Sequence, residues 1–273
     1  HSSYMVPASA SSGVQFISIA TSLNSETHLN LDTGANNYRM VGIPDGMGVY
    51  RDEADLRNNT FTVLMNHELG GGAGSVRAHG STGAFVSQWK IRRSDLGVVG
   101  ARDLSTSVQN FVGGAHVAGT TQFGRLCSAD LAPQTAYKWT ANDGTVFGTD
   151  SRIYMNGEEI GAEGRAFAHV VDGPEARSSW QLPDLARFSW ENSVSNPLSQ
   201  RKTIVAGTDD STPGQVYIYV GDKQSTGNTI ERAGLMNGKT FGIKIDGVAR
   251  EGLAPINAPF TMVDKSATQR SSG

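Results

Sequence analysis

The stretch RIYMNGEEIGAEGRAFAHV, residues 152–170, decides the fold class that this sequence predicts. Apolar, β-branched and aromatic residues form one short run at Arg152–Met155 and a second at Arg165–Val171. A segment rich in Gly and Glu separates the two runs. Short runs of this composition, bounded by turn residues, are typical of β-strands. The stretch therefore predicts two successive strands with an adjacent pair of glutamates, Glu158 and Glu159, between them.

The same pattern recurs along the chain and predicts an all-β fold. Asp-Gly and Asn-Gly pairs lie between the strand-like segments and supply the positive φ angles of tight hairpin turns. Short helical turns are expected at Arg51–Arg57 and at Ser128–Ala136, where Pro133 argues against a longer helix. Further strands are expected at Val14–Ala20, Thr60–Met65, Ala84–Ile91, Thr203–Ala206, Gln215–Val220 and Thr240–Ile245.

Many short strands over 273 residues suit a pair of sandwiches, a large barrel or a β-propeller. A propeller blade takes roughly 40–50 residues. Strand–turn–strand units at 165–182, 203–221 and 235–245 fit halves of such blades. We therefore expect a single β-propeller domain over residues 1–263, followed by a polar tail at 264–273.

Composition excludes several classes of protein. The chain has 23 Lys and Arg against 26 Asp and Glu, a net charge of -3, so no nucleic-acid partner is expected. The lone cysteine, Cys127, forms no intramolecular disulfide and is interpreted as a small buried hydrophobic residue. No run of 18 apolar residues is present, so no transmembrane segment is expected. The first residues, HSSY, do not resemble a signal peptide.

Two acidic motifs follow predicted strands. Asn66, His67 and Glu68 come directly after an apolar run, which suits either a metal ligand at the strand end or a cluster of hydrogen bonds. In the pair Glu158–Glu159, adjacent side chains point to opposite sides of a strand. The inward carboxylate then needs a cation, a shared proton or an ion pair, for which Arg165 is available.

Two more acidic motifs lie further along the chain. Glu191 stands between Trp190 and Asn192 and is expected to be partly buried, with either a hard cation or Arg187 as its partner. The segment TDDSTPG, residues 208–214, places two carboxylates among hydroxyls in a loop. Such a loop suits Ca²⁺ or Mg²⁺, and it also suits a capped turn. Its carboxylates are Asp209 and Asp210.

Taken in order, these motifs resemble the secreted phosphatase family PhoX and related bacterial propellers. The matching pieces are LMNHELG at 64–70, RIYMNGEEIGAEGRAFAHV at 152–170, LARFSWENSVSNP at 185–197 and AGTDDSTPGQVYIYVG at 206–221. The resemblance implies a β-propeller, usually six-bladed, with Ca²⁺ ions and an iron pair at the centre of one face. It also implies hydrolysis of small phosphate monoesters in a secreted or periplasmic location.

The resemblance carries the metal ligands onto particular residues of this sequence. The implied ligands are Glu68, Glu159 with Glu158 as the alternate, Glu191, and Asp209 or Asp210. The residues expected to support those ligands are Asn66, His67, Arg165 and Asn192. Oxygen ligands of this kind suit hard cations.

The sequence departs from the family pattern in two respects. The family has a cysteine before the glutamate pair that serves the iron, and Gly157 stands there in this chain, with Cys127 well upstream. The chain is also short for the family, so we expect that a second chain or a further C-terminal segment completes the propeller, or that this relative is a shorter protein. These departures leave two alternatives open: a non-catalytic secreted Ca²⁺-binding propeller that acts as a binding module, and a propeller enzyme with another substrate.

Overall fold

A computed structural model describes residues 5–9, 12–22, 26–250, 252 and 256–265. The strands of the first half are β1 (His28–Leu29), β2 (Asn36–Tyr38), β3 (Pro44–Tyr50), β4 (Thr60–His67), β5 (Phe85–Arg92), β6 (Val98–Asp103), β7 (Ser107–Val112), β8 (Ala115–Gly119) and β9 (Leu126–Asp130). The later strands are β10 (Lys138–Thr140), β11 (Val146–Gly148), β12 (Ile153–Glu158), β13 (Ala166–Val170), β14 (Ser178–Gln181), β15 (Trp190–Ser195), β16 (Lys202–Asp209), β17 (Val216–Asp222), β18 (Lys239–Lys244) and β19 (Thr261–Asp264).

Helices are few and short in the described residues. They are α1 (Glu53–Asn58) and α2 (Thr229–Arg232), with 3₁₀ turns at Gln134–Tyr137, Gly161–Glu163 and Pro183–Leu185. The N-terminus of α1 forms a capping box, because Asp52 accepts from the backbone of Asp55 while the Asp55 side chain accepts from the backbone of Asp52. No helix in the described part of the chain is long and apolar enough to cross a membrane.

The strands form three larger sheets and two short ribbons, so the fold is all-β as predicted. The four-stranded sheet has the order β3-β4-β5-β6, the six-stranded sheet β8-β7-β14-β13-β12-β9, and the five-stranded sheet β15-β16-β17-β18-β19. Their pairings are antiparallel, except that β14 and β7 run parallel. The ribbons are β1-β2 and β10-β11. Over the described residues these sheets do not close into a ring.

The three larger sheets meet along their inner edge strands. Strand β9 packs against both β3 and β15, and β12 also packs against β15. At Gly46 in β3 the backbones approach so closely that a Cβ would lie 2.3 Å from the Ala129 nitrogen. One apolar core, which includes Leu64 and Tyr154, joins the first two sheets, and another, which includes Met155 and Trp190, joins the second and third. These edges bring distant parts of the chain together.

Most of the predicted strands are present, and one is absent. Both runs in the deciding stretch form paired strands, β12 and β13. The segment 14–20 forms no strand, so that prediction was wrong; Val14, Phe16, Ile17 and Ile19 are exposed and outside every ladder. The region 128–136, expected as a helical turn, is divided between the end of β9 and a 3₁₀ turn.

The predicted polar tail at 264–273 begins inside the sheet. Asp264 is the last residue of β19 and pairs with Phe241 of β18. Residues 266–273 lie outside the described part of the chain.

Candidate metal centre

Four carboxylates and one thiol converge where the three sheets meet. Their ligand atoms form two groups that share Cys127, and the atoms of each group lie within 4.8 Å of one another. The first group contains Asp45, Glu68 and Cys127, and the second contains Cys127, Glu159 and Glu191. We call these five residues the acidic cluster. It combines three ligands expected from the sequence with two, Asp45 and Cys127, that were not expected.

Each member of the acidic cluster is placed by an inner strand or by the residue after one. Asp45 lies in β3, Cys127 in β9 and Glu191 in β15. Glu68 follows β4, and its backbone nitrogen donates to the carbonyl of Ile43 at 2.9 Å. The cluster is thus assembled from elements of all three larger sheets.

Glu159 is oriented by a register shift in the pairing of β12 with β9. The shift falls between Asn156 and Glu158, and the Glu159 nitrogen then donates to the Arg125 carbonyl at 2.8 Å. Because successive side chains alternate along a strand, Glu158 and Glu159 point to different surroundings. Only Glu159 of the pair joins the acidic cluster.

Glu158 lies in a separate, fully satisfied ion pair with Arg165. The Arg165 guanidinium donates from Nε to Oε2 at 2.7 Å and from Nη2 to Oε1 at 2.6 Å. The backbone nitrogens of Gly124 and Arg165 also donate to the carboxylate. Glu158 is fully buried, so these contacts balance a charge that would otherwise be costly to bury. The structure therefore places Glu158 and Arg165 in the ion pair that the sequence offered as the alternative.

Cys127 donates its thiol proton to Oε2 of Glu159, with the sulfur 2.7 Å from the oxygen. Burial raises the pKa of the thiol well above its usual range, and hydrogen bonds to Glu159 and Glu68 raise it further. In this arrangement the thiol is protonated at neutral pH. Cys127 is buried, as expected, and its sulfur also belongs to both ligand groups, which the sequence did not indicate.

The pKa of Glu191 reflects the repulsion between the carboxylates of the acidic cluster. Burial raises the pKa of its carboxyl, and the charges of Glu159, Asp45, Asp210 and Glu68 raise it further. Like charges at such distances favour a proton or a cation between them. Carboxylates suit Ca²⁺, and a thiolate suits iron. The donor set therefore fits the calcium and iron that the family resemblance implies.

Arg125 supplies positive charge at the rim of the acidic cluster. Its Nη2 lies 2.7 Å from Oε1 of Glu159, and its Nη1 lies 3.4 Å from Oε1 of Glu68. Nε and Nη2 also donate to the Glu159 carbonyl, at 3.3 and 3.2 Å. Its side chain is 47% exposed, whereas the two carboxylates are mostly buried. Sequence reasoning missed this residue.

Asp209 and Asp210 lie beside the acidic cluster and outside both ligand groups. Asp209 ends β16 opposite Trp190, and its buried Oδ1 has no hydrogen-bond partner among the described residues. Asp210 acts through its charge, which contributes to the raised pKa of Glu191. Asn192 contacts Thr208, to whose Oγ1 it donates from its backbone nitrogen at 3.1 Å and from Nδ2 at 3.2 Å.

Asn66 supports the acidic cluster from behind. Its Nδ2 donates to the Cys127 carbonyl at 2.7 Å, and its Oδ1 accepts from Tyr154 at 3.1 Å and from Asn156 at 3.0 Å. The amide thus fixes the backbone that carries the thiol. Asn66 was one of the residues expected to support the ligands, and that role remains a prediction.

His67 is held in a buried pocket of its own. Its Nε2 lies 2.8 Å from Oγ of Ser87, and its Nδ1 lies 3.0 Å from the Val41 carbonyl. Burial lowers the pKa of His67 to about 4, so the ring is neutral at pH 7. Its contacts anchor the end of β4, next to Glu68.

A solved structure has a similar fold. PhoX of Pseudomonas fluorescens, in complex with vanadate, a transition state analogue, matches with a TM-score of 0.52 and 12% sequence identity. The match covers 81% of this chain and 50% of the PhoX chain. The fold is PhoX-like. The chain spans about half the length of that protein.

No protein-family model matches the sequence, and no curated protein matches it. At 12% identity the PhoX likeness concerns the fold alone. Metal and substrate must therefore be argued from the residues of the acidic cluster.

The residues missed by sequence reasoning depend on long-range pairing. Cys127 reaches Glu159 because β9 lies beside β12, and Asp45 reaches the cluster because β3 packs on β9. Asp45 precedes Gly46, a dipeptide that in isolation indicates a turn. The one local signal for these residues was the single cysteine of the chain, Cys127, which lies close in sequence to Arg125.

Proposed function

We propose that this chain carries a metal-dependent site for the hydrolysis of phosphate monoesters, in a protein that works outside the cytoplasm. The observation that carries the proposal is the convergence of four carboxylates and one thiol at the junction of three sheets. The PhoX-like fold supports it, since PhoX was captured with vanadate, a transition state analogue. Vanadate is a tetrahedral oxyanion that expands its coordination as a phosphoryl group does during transfer.

The residues of the acidic cluster divide by chemistry. Asp45, Glu68, Glu159 and Glu191 would hold calcium through their oxygens, and Cys127 would bind iron as a thiolate. Ions bound there supply Lewis-acid polarisation of a phosphoryl oxygen and neutralise developing negative charge.

The chain's own residues orient this site. Asn66 holds the backbone of Cys127, and the Arg165–Glu158 ion pair fixes the strand that leads into Glu159. The hydrogen bond to Glu159 keeps a proton on the sulfur that both ligand groups share, and that proton must leave before the sulfur can bind a metal. Metal affinity at this site should therefore rise with pH.

The test is turnover of a generic phosphomonoester, p-nitrophenyl phosphate, by protein loaded with Ca²⁺ and iron. We expect activity that a chelator abolishes, and metal analysis that finds both elements. Glu159→Gln should lower kcat by about 100-fold or more, in line with the loss of a charged group that organises an electrostatic site. Glu163→Gln is the matched control, since Glu163 is exposed and pairs with Arg187. Inactivity of the metal-loaded wild-type protein would contradict the proposal.

A second candidate is a non-catalytic Ca²⁺-binding module. It is favoured by Gly157, which stands where the family has a cysteine, and by a carboxylate set that can hold calcium without the thiol. This alternative predicts calcium without iron in the purified protein, stabilisation by Ca²⁺, and no turnover.

A further inference from the structure

Arg125 occupies the place in which a cation would neutralise the acidic cluster. Its guanidinium pairs with Oε1 of Glu159 and lies near Oε1 of Glu68. Both carboxylates belong to the ligand groups, one in each. Glu159 is fully engaged, because its other oxygen accepts from the Cys127 thiol.

A bound cation and Arg125 must compete for these oxygens. A metal ion that takes Oε1 of Glu159 displaces the closest contact of the guanidinium, and it adds positive charge beside the guanidinium. Two like charges at this distance repel. Cation binding should therefore drive Arg125 away from Glu159 and Glu68.

Arg125 is able to move because one side of it faces solvent. The side chain is 47% exposed, against 18% for Glu68 and 13% for Glu159. Its donors contact one carbonyl and two carboxylates. If the guanidinium leaves them, it moves into solvent, so its own charge does not become buried without a partner.

The other arginines near the acidic cluster are committed elsewhere. The Arg165 guanidinium forms two hydrogen bonds to the fully buried Glu158, and its departure would leave that carboxylate without an ionic partner. Arg187 pairs with the exposed Glu163. Arg125 is thus the guanidinium placed to exchange partners.

We propose that Arg125 is exchanged for the cation and that the released guanidinium then binds the phosphoryl oxygens of the ligand at the rim of the site. This inference rests on the proposed function, because it names the group that receives the anion of a phosphate ester. A guanidinium presents a planar fork that matches two phosphoryl oxygens. The two binding events become coupled: a cation frees Arg125 for the anion, and by linkage the anion raises the affinity for the cation to the same extent.

The test is calorimetric titration of Ca²⁺ into the metal-free protein, with and without methylphosphonate, a phosphoryl anion that cannot be hydrolysed. In the wild type we expect saturating methylphosphonate to raise Ca²⁺ affinity by about fivefold or more. In Arg125→Ala the affinity for Ca²⁺ without anion should rise, because the competitor is gone, and the effect of methylphosphonate should fall several-fold. In Arg125→Lys the ammonium should still compete with Ca²⁺, but the effect of methylphosphonate on Ca²⁺ affinity should mostly disappear. An ammonium lacks the planar pair of donors with which a guanidinium binds two phosphoryl oxygens. Arg187→Ala is the control and should behave as the wild type.

The possible results separate this inference from the proposed function. Reduced Ca²⁺ affinity in Arg125→Ala would contradict the exchange of Arg125 for the cation. A methylphosphonate effect on Ca²⁺ affinity that is as large in Arg125→Ala as in the wild type would contradict anion binding by Arg125. Neither result bears on phosphatase activity, which the turnover assay tests. Loss of coupling in Arg125→Ala, in a protein without turnover, would support the inference while the proposed function fails. A wild-type protein that binds no Ca²⁺ would overturn both.

Discussion

At the scale of single residues, Gly157 explains why the thiol of this site comes from another strand. A Cβ at this position would lie 2.4 Å from Cγ and 2.5 Å from Cβ of Trp190, a fully buried side chain of the core. A cysteine before the glutamate pair therefore has no room here. The thiol of Cys127 instead approaches Glu159 from β9.

Gly157→Ala should therefore destabilise the protein. Insertion of one methyl against Trp190 should lower the free energy of unfolding by about 1–3 kcal/mol or more, because β12 and the packed indole have to move apart. Urea unfolding followed by fluorescence measures the change. Gly42→Ala is the matched control, since a Cβ there meets nothing within 4 Å, and its stability should be unchanged or slightly raised. Equal stability of the two variants would contradict the close contact.

The candidate ligands were only partly predictable from the sequence. Glu68, Glu159 and Glu191 could be predicted because each adjoins an apolar strand, and local pattern shows where a strand ends. The choice between Glu158 and Glu159 depends on a register shift against β9, which local sequence does not encode. Cys127 depends on the pairing of β9 with β12 and Asp45 on the packing of β3 against β9, so sequence pattern alone missed them.

At the scale of elements, the interior of β13 carries a neutral histidine. His169 is fully buried, with Nε2 2.9 Å from Oδ1 of Asn156 and Nδ1 2.7 Å from Oγ of Ser179. Asn156 in turn donates to Asn66, which holds Cys127, so a polar network crosses from β13 through β12 to β4. Burial lowers the pKa of His169 to about 3.

This network predicts a loss of stability in mild acid. An unfolded histidine titrates near pH 6.5, whereas His169 and His67 in the folded chain titrate near 3 and 4. The unfolded state therefore binds more protons between these values, and stability is complete above pH 6.5 and falls as pH decreases towards 4. At pH 5 each histidine should account for about 2 kcal/mol of lost stability.

Urea unfolding at pH 7.5 and pH 5 measures this loss. His169→Gln should reduce the difference in the free energy of unfolding between the two pH values by about 2 kcal/mol, and His67→Gln should do the same independently, whatever each variant does to stability at pH 7.5. A pH dependence that is unchanged in both variants would show that the buried histidines do not cause it.

Strand prediction succeeded where a strand has partners on both sides and failed where it has none. Strands β4, β5 and β16 lie inside sheets, and their apolar patterns were recognised. The segment 14–20 has the same composition, yet no ladder receives it, and its apolar side chains are exposed. Composition indicates a propensity, but the hydrogen bonds of a strand come from its neighbours.

At the scale of the whole molecule, the acidic cluster is the place where ionisable side chains from all three larger sheets come together. The four-stranded sheet contributes Asp45 and Glu68, the six-stranded sheet Cys127 and Glu159, and the five-stranded sheet Glu191. Repulsion among these groups opposes the packing of the sheets, as the raised pKa of Glu191 shows. Arg125 compensates part of the charge from a half-exposed position. A cation in the first ligand group would connect the four- and six-stranded sheets, and one in the second group would connect the six- and five-stranded sheets.

Calcium should therefore stabilise the entire fold. At a concentration of 100 times its Kd, a ligand specific for the native state adds about 2.7 kcal/mol, which should raise Tm by about 5–10 °C in a chain of this size. Differential scanning calorimetry with Ca²⁺ and with chelator measures the shift.

The variant Glu191→Gln tests where the ion binds. The raised pKa of Glu191 means that ionisation of its carboxyl opposes folding, so without Ca²⁺ the variant should unfold at an equal or higher temperature than the wild type. It should lose most of the rise in Tm that Ca²⁺ causes. Glu53→Gln removes an exposed carboxylate of α1, paired with Arg57, and should keep the full rise. If Glu191→Gln kept it too, the ion would be binding elsewhere, and the junction of the three sheets would be held by packing and by Arg125 alone.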